Sequence, residues 1–203
     1  MLFTKGKFAD AQTKFRDLFP RILLAHVADQ QDTNELHALI GVCREYVLGL
    51  SLELERRELA AQKRDGARQT ELAAYFTHCN LQGPHHLLTL RSAANCAFQH
   101  KELRTAHDLA TRLLELNPKP DVAATAEKIL RVSVDGADAD ALRYDPLNPF
   151  VLCSAEHVPI YQGSPSVRCG FCEAYYQPSH TGERCAVCEI GTVAGEATGL
   201  VCF

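Results

Sequence analysis

Two Cys-x-x-Cys pairs fall within twenty-two residues late in the chain, in RCGFCEAYYQPSHTGERCAVCE from Arg168 to Glu189. Cys169 and Cys172 form the first pair, and Cys185 and Cys188 follow after twelve intervening residues. Two thiolates separated by two residues can reach one ion from a single tight turn. Two such turns complete a tetrahedron at ~2.3 Å Zn–S distances. The spacing therefore predicts one structural Zn2+ held by Cys169, Cys172, Cys185 and Cys188. Free thiols and a redox pair are the alternatives. The redox reading wants a βαβ context and a helix start, which the flanking residues do not supply. A filled four-thiolate shell leaves no open position for water or substrate, so the expected metal is structural, not catalytic. His180, between the pairs, could replace a cysteine as ligand. With four thiolates at hand it reads as a polar turn residue.

The other five of the nine cysteines are Cys43, Cys79, Cys96, Cys153 and Cys202, and they are scattered. The first three sit in helix-like patterns and read as small buried hydrophobes. An odd cysteine count in a 203-residue chain argues against a secreted disulfide framework. No long apolar block follows Met1, and runs such as Ile22-Leu23-Leu24-Ala25 are far below the ~18–20 residues of a membrane span. A reducing cytosol and no membrane insertion are the expectation.

The chain changes grammar once. Residues 1–134 read as helices. Asp32 with Glu35 resembles a capping box, and Leu36, Leu39, Ile40, Cys43, Val47, Leu50 and Leu54 then mark a 3.6-period stripe. From Glu53 to Glu71, five acidic and five basic residues alternate, which reads as a solvated helix face ending near Gly66. Further helices are expected over residues 70–79, 85–100, 101–116 and 121–132, separated by Gly83-Pro84 and Asn117-Pro118. Phe8, Ala11, Phe15, Leu18 and Phe19 share their spacing with Leu103, Ala106, Ala110, Leu113 and Leu114. A small Ala on an inner face lets a neighbouring helix approach closely, as repeat hairpins require, although ordinary amphipathic helices explain two copies equally well.

DGADADALRYDPLNPF ends the helices with Gly, Asp and Pro, and residues 135–143 read as a linker. From 144 to 203 short β-type pieces are punctuated by Gly and Pro. A region this small and loop-rich needs a staple, and the four cysteines are placed to supply one. The fold class expected is α+β: a repeat-like α-helical region followed by a small β-rich, zinc-ribbon-like region.

Charge removes one function class. Residues 144–203 carry two basic side chains, Arg168 and Arg184, against six acidic ones, and residues 1–143 balance at 19 of each sign. Such surfaces gain little of the counterion release that drives nucleic-acid binding. No Gly-x-Ser-x-Gly, phosphate-binding loop or His-Glu-x-x-His occurs. His85-His86, adjacent on a helix, point about 100° apart and cannot readily share a metal. No enzyme is expected.

GKFADAQTKFRDLF, CREYVLGLSLELER, YFTHCNLQ, ATRLLELNPKPDVAATAEKIL, NPFVLCSAEHVPIYQG and the cysteine region resemble, in order along nearly the whole chain, the C-terminal domain of the coatomer alpha subunit family. The resemblance implies a piece of a larger subunit of the COPI vesicle coat, cytoplasmic and peripheral on Golgi membranes, acting in retrograde Golgi-to-ER and intra-Golgi transport. It implies a non-enzymatic domain that binds the epsilon subunit, a helical-repeat protein gripping a protruding β-hairpin, with other coatomer subunits engaged through the N-terminal part. The gripped hairpin is expected in FVLCSAEHVPIYQGSPSVRC, with Phe150, Val158, Ile160, Tyr161 and Val167 flanking a turn at Gly163-Ser164-Pro165. The alternative hairpin carries Tyr175 and Tyr176. The competing functional readings are a zinc-ribbon module acting in transcription or RNA handling, and a cysteine-dependent enzyme.

Overall fold

The structure, a computed structural model, describes residues 2–196, so Cys202 lies outside the described residues. Among the described residues seven α-helices precede four short strands: α1 (Phe8–Arg16), α2 (Leu18–Leu23), α3 (Gln30–Ala61), α4 (Gly66–Phe76), α5 (Gly83–Gln99), α6 (Leu103–Glu115), α7 (Pro120–Ser133), then β1 (Phe150–Leu152), β2 (Pro159–Tyr161), β3 (Val167–Arg168) and β4 (Tyr175–Tyr176). The α+β class is as expected. The chain divides into two compact units, Met1–Ser51 with Pro146–Phe203, and Leu52–Asp145. This cuts across the helical region expected over 1–134, because α3 contributes to both units.

Local chemistry explains where the helices begin and stop. The cap of α3 lies three residues before the expected pair: Asp29 Oδ1 accepts from the Asp32 N–H at 2.9 Å, and Asp32 Oδ2 accepts from the Ala28 N–H at 3.1 Å. The side-chain oxygens thus satisfy donors that the first turn cannot pair internally. The charged run does not end a helix at Gly66. Lys63 and Asp65 turn the chain at φ 52° and 48°, and α4 starts at Gly66 with Asp65 Oδ1 accepting the Arg68 N–H at 2.8 Å. Asp tolerates this left-handed backbone better than most residues.

In the first unit, a continuous core joins Phe19 and Ile22 of α2, Ile40, Cys43 and Val47 of α3, and Ile160, Phe171, Tyr176, Val187 and Val193 of the β-rich region. Phe15 of α1 stacks on Tyr46 of α3 at 4.5 Å, and Phe19 meets Phe171 edge-on at 6.1 Å. Leu39, expected on the buried stripe, is instead partly exposed. β1 and β2 pair antiparallel with Phe150 opposite Tyr161, and β3 and β4 pair with Val167 opposite Tyr176. The hairpin turn is therefore the 153–158 loop. The 163–165 turn expected to close it instead connects β2 to β3, which belong to different sheets. The two sheets are joined where the Ser154 N–H donates to the Tyr175 carbonyl at 2.8 Å. A further link comes from His180, whose Nδ1 lies 2.8 Å from Glu183 and whose Nε2 lies 3.0 Å from Glu156 in the hairpin loop.

In the second unit, α6 packs against α5 and α7. Ala106, Ala110 and Leu109 are fully buried, so the small residues do permit close helix approach. The segment expected as a linker is tied down. Asp138 accepts from both the N–H and the hydroxyl of Thr105 at 2.9 Å, thereby capping α6 from outside. The Asp140 N–H donates to Glu102, and the Arg143 N–H donates to Glu71 at 2.7 Å. Tyr144 is buried, its hydroxyl 3.0 Å from His78 Nε2 and 3.1 Å from Arg112. A Cβ on Gly136 would come within 2.4 Å of the Leu103 side chain, so only glycine permits this approach.

Two consequences are measurable. Asp138→Ala should cost about 1 kcal/mol, the ordinary contribution of a helix cap, and should open the 135–143 segment to protease. An unchanged urea midpoint with unchanged cleavage would show that the contact contributes nothing. His180 is raised above its ordinary value, first by Glu183 and then by Glu156. Its stabilising contribution is thus complete below about pH 6.5 and is lost as pH climbs through the higher folded-state value. His180→Gln should flatten that loss in a series of unfolding midpoints taken across about pH 6–8.

Candidate metal centre

The strands of the β-rich region are two or three residues long, too short to hold themselves together by backbone pairing alone. Two turns carry the cysteines. In the first, the Glu173 N–H donates to the Cys169 carbonyl at 3.1 Å; in the second, the Glu189 N–H donates to the Cys185 carbonyl at 3.0 Å. Each turn is closed by that Glu in the left-handed region, at φ 59° and 57°. Sharp closure points both sulfurs of a turn inward. The turns are brought face to face by isolated antiparallel bridges between Cys169 and Val193 and between Arg184 and Thr192.

All four sulfurs predicted from the spacing meet. Cys169, Cys172, Cys185 and Cys188 are each at most 3% exposed, and their Sγ atoms lie within 4.8 Å of one another. Cys169 and Cys188 are 3.7 Å apart and Cys172 and Cys185 are 3.6 Å apart. A regular tetrahedron with ~2.3 Å metal–sulfur bonds has edges of about 3.8 Å. The donor set and its size therefore suit a tetrahedral thiophilic ion, and the cluster could hold a metal. A Cβ on Gly191 would fall 2.5 Å from Cys169 Sγ, so the glycine is what lets the second turn close over the sulfurs.

The electrostatics of the cluster point the same way. Cys185 is held far below the usual thiol range, first by hydrogen bonding from Cys169, and Cys169 is lowered to about 7, first by Cys172. Cys172 and Cys188 are pushed up, in each case first by Cys169. Four negative charges at this spacing repel strongly in a buried site, so some sulfurs keep protons unless a cation sits among them. A divalent ion would let all four ionise.

Two arginines from the helices reach the two turns. Arg16 Nη2 donates to the Ala186 carbonyl at 3.1 Å, and its Nε stands 3.3 Å from Glu189. Arg44 Nη1 donates to the Cys172 carbonyl at 3.1 Å and lies 4.0 Å from Glu173. Each Cys-x-x-Cys-Glu turn thus receives one guanidinium. Nothing in the sequence pattern singles out Arg16 or Arg44, because the contacts span 170 and 128 residues.

The remaining sequence candidates fall elsewhere. His180 bridges two carboxylates and does not belong to the sulfur cluster. His85 and His86 lie half-buried in the first turn of α5. Cys43, Cys79, Cys96 and Cys153 are buried, and burial pushes the Cys43 thiol up to about 11, as suits an inert packing residue. Of the five candidate partner contacts, Ile160 is buried, whereas Phe150, Val158, Tyr161 and Val167 are half-buried. Phe150 and Tyr161 meet edge-on at 5.7 Å and line an open concavity with Ser164 and Tyr175. In the alternative hairpin, Tyr176 is buried and Tyr175 carries the Arg168 guanidinium 4.5 Å over its ring. Among the described residues no helix is long and apolar enough to cross a membrane.

The whole chain, residues 1–203, matches the family described as the C-terminus of the coatomer (COPI) alpha subunit. It is 45% identical to the coatomer subunit alpha of Dictyostelium discoideum over 97% of this chain and 17% of that protein. It is 42% identical to coatomer subunit alpha-1 of Arabidopsis thaliana over 98% of this chain and 16% of that protein. The coatomer subunit alpha of Saccharomyces cerevisiae matches at 33% over 92% of this chain and 15% of that protein. The chain thus spans about a sixth of the length of these relatives. It belongs to the family formed by the C-terminal domains of coatomer alpha subunits.

Proposed function

We propose that this domain is a non-enzymatic docking module of the COPI coat. On this reading it binds the coatomer epsilon subunit through the β1–β2 hairpin and is stapled by one structural Zn2+ on Cys169, Cys172, Cys185 and Cys188. Epsilon and the transport routes, retrograde Golgi-to-ER and intra-Golgi, come from the family resemblance, as does a cytoplasmic location on Golgi membranes. Other coatomer subunits would be engaged by the larger part of the protein preceding this domain. The observation that carries the reading is the hairpin itself, which offers two half-buried aromatic rings, Phe150 and Tyr161, beside an open concavity, while its loop end is braced through Ser154 and Glu156. Rigid aromatic side chains that lose little freedom on burial are the usual anchors of tight interfaces.

The zinc reading rests on four buried sulfurs within 4.8 Å of one another, two pairs of them 3.6 and 3.7 Å apart. A zinc-ribbon role in transcription or RNA handling is opposed by the acidic balance of residues 144–203. A filled thiolate shell would leave such an ion no open position for water or substrate, which supports the non-enzymatic reading.

Two experiments test the two halves of this proposal. Protein prepared without chelators should contain one zinc per chain, and Cys185→Ser should lose it. Since α2 and the first half of α3 share a core with the cysteines, hydrogen exchange should accelerate there and in residues 146–196, while α5–α7 keep their protection. Absence of zinc, or loosening confined to the turns, would contradict this half. For the partner, Phe150→Ser and Tyr161→Ser should each weaken epsilon binding by at least ~2 kcal/mol if they are hot spots. Ile160 is unsuited to this test because it belongs to the core. Unchanged affinity with zinc retained would move the contact off this hairpin.

A further inference from the structure

We propose that Tyr176 is a positioning residue for the metal, its phenol donating a hydrogen bond to the Cys185 sulfur and thereby setting how tightly the ion is kept. This rests on the zinc reading above. Tyr176 is 1% exposed, and its hydroxyl oxygen lies 3.1 Å from Cys185 Sγ. The same oxygen accepts the Ala186 N–H at 2.9 Å. That bond occupies a lone pair and leaves the phenol proton directed to the sulfur. A metal-bound thiolate carries no proton, so the tyrosine is then the donor.

The other sulfurs show what the phenol replaces. Cys169 Sγ receives the Phe171 N–H at 3.4 Å, two residues on in its own turn, and Cys188 Sγ receives the Gly191 N–H at 3.4 Å. On Cys185 the donor comes instead from β4, nine residues away. One hydroxyl therefore holds both the sulfur and the backbone of the second turn, and joins them to the sheet that carries the first. Partners of this kind orient ligands and spread their charge, and their loss typically lowers metal affinity roughly 10–100-fold.

The test uses the full chain loaded with Co2+ or Zn2+. A hydrogen bond lowers the energy of sulfur lone pairs, so Tyr176→Phe should move the sulfur-to-cobalt charge-transfer band to longer wavelength. A change in packing alone would leave that band in place. Zinc transfer to a competing chelator should show a roughly 10–100-fold loss of affinity. Fluorotyrosine at position 176 keeps the ring and donates more strongly, so it should move the band to shorter wavelength; it also keeps the test decisive if the phenylalanine variant folds poorly. Wild-type protein that loads metal while both variants match its band and its affinity would overturn the role of Tyr176 alone. Wild-type protein that takes up neither metal would overturn this inference together with the zinc reading.

Discussion

The packing of four cysteine sulfurs within 4.8 Å of one another governs the rest of the first unit. Strands of two and three residues and a succession of tight turns cannot accumulate enough paired backbone or buried apolar area to fold alone. The cysteines supply covalent-strength anchoring if an ion joins them, and they also belong to the apolar core. Phe171, Val187 and Val193 share that core with Phe19, Ile22, Ile40 and Val47 from the helices. Sulfur cluster and hydrophobic core are therefore one structure. A change that loosens one should loosen the other, which is why the unit unites residues more than a hundred positions apart.

Charge is managed in the same place. Four thiolates around one divalent ion would leave a net charge of about −2, and a buried charge is costly unless compensated. The groups that would compensate it come from three sources. Backbone N–H groups of Phe171 and Gly191 point at two sulfurs, the Tyr176 hydroxyl meets a third, and Arg16 and Arg44 sit on the carbonyls of the two turns. The guanidiniums also face Glu189 and Glu173, the residues that close the turns. α1 and α3 consequently contribute more to the β-rich region than apolar cover. They hold its two turns at a fixed separation by charge-assisted contacts whose worth rises as water is excluded.

How much of this was legible in the sequence follows from the range of each interaction. The cysteine set was readable because the Cys-x-x-Cys turn is local and its repetition leaves few alternatives. The helices over residues 85–100, 101–116 and 121–132 were readable to within a few positions from periodicity and the Gly-Pro and Asn-Pro breaks. The cap of α3 was misplaced because Asp29 and Asp32 form as good a local pattern as Asp32 and Glu35, and only geometry chooses between them. The hairpin turn was misplaced for a related reason. Gly163-Ser164-Pro165 has strong turn chemistry and does turn the chain, but it joins two sheets, whereas the 153–158 loop closes the hairpin with no glycine in it. His157 there takes the positive φ of 55°. The tie of residues 135–143 to α6 was hidden because Asp138 and Thr105 are 33 positions apart, and an Asp-rich segment resembles a solvated linker until its carboxylates find donors. Arg16 and Arg44 had no local signature, and Tyr176 stood out only as part of the alternative hairpin, not as a partner of the sulfurs.

Bracing of the hairpin bears on what the domain can do. Two three-residue strands in isolation would sample many conformations, and a partner would have to supply the ordering free energy on binding. Here the hairpin is tied at its loop end twice, by the Ser154 N–H to the Tyr175 carbonyl and by His180 to Glu156. Both ties come from the segment that carries the cysteines. Any ion in the sulfur cluster stabilises that segment, so it also favours the ordered hairpin. On the proposed reading, metal occupancy and epsilon affinity are therefore linked, because a ligand that favours the ordered state lowers the cost of binding for the next. The link is reciprocal by thermodynamic necessity: a partner seated on the hairpin should slow loss of the ion by holding its turns together. A coat component that ordered itself in this way would engage its partner strongly when loaded and weakly when stripped, with no catalytic group required anywhere in the domain.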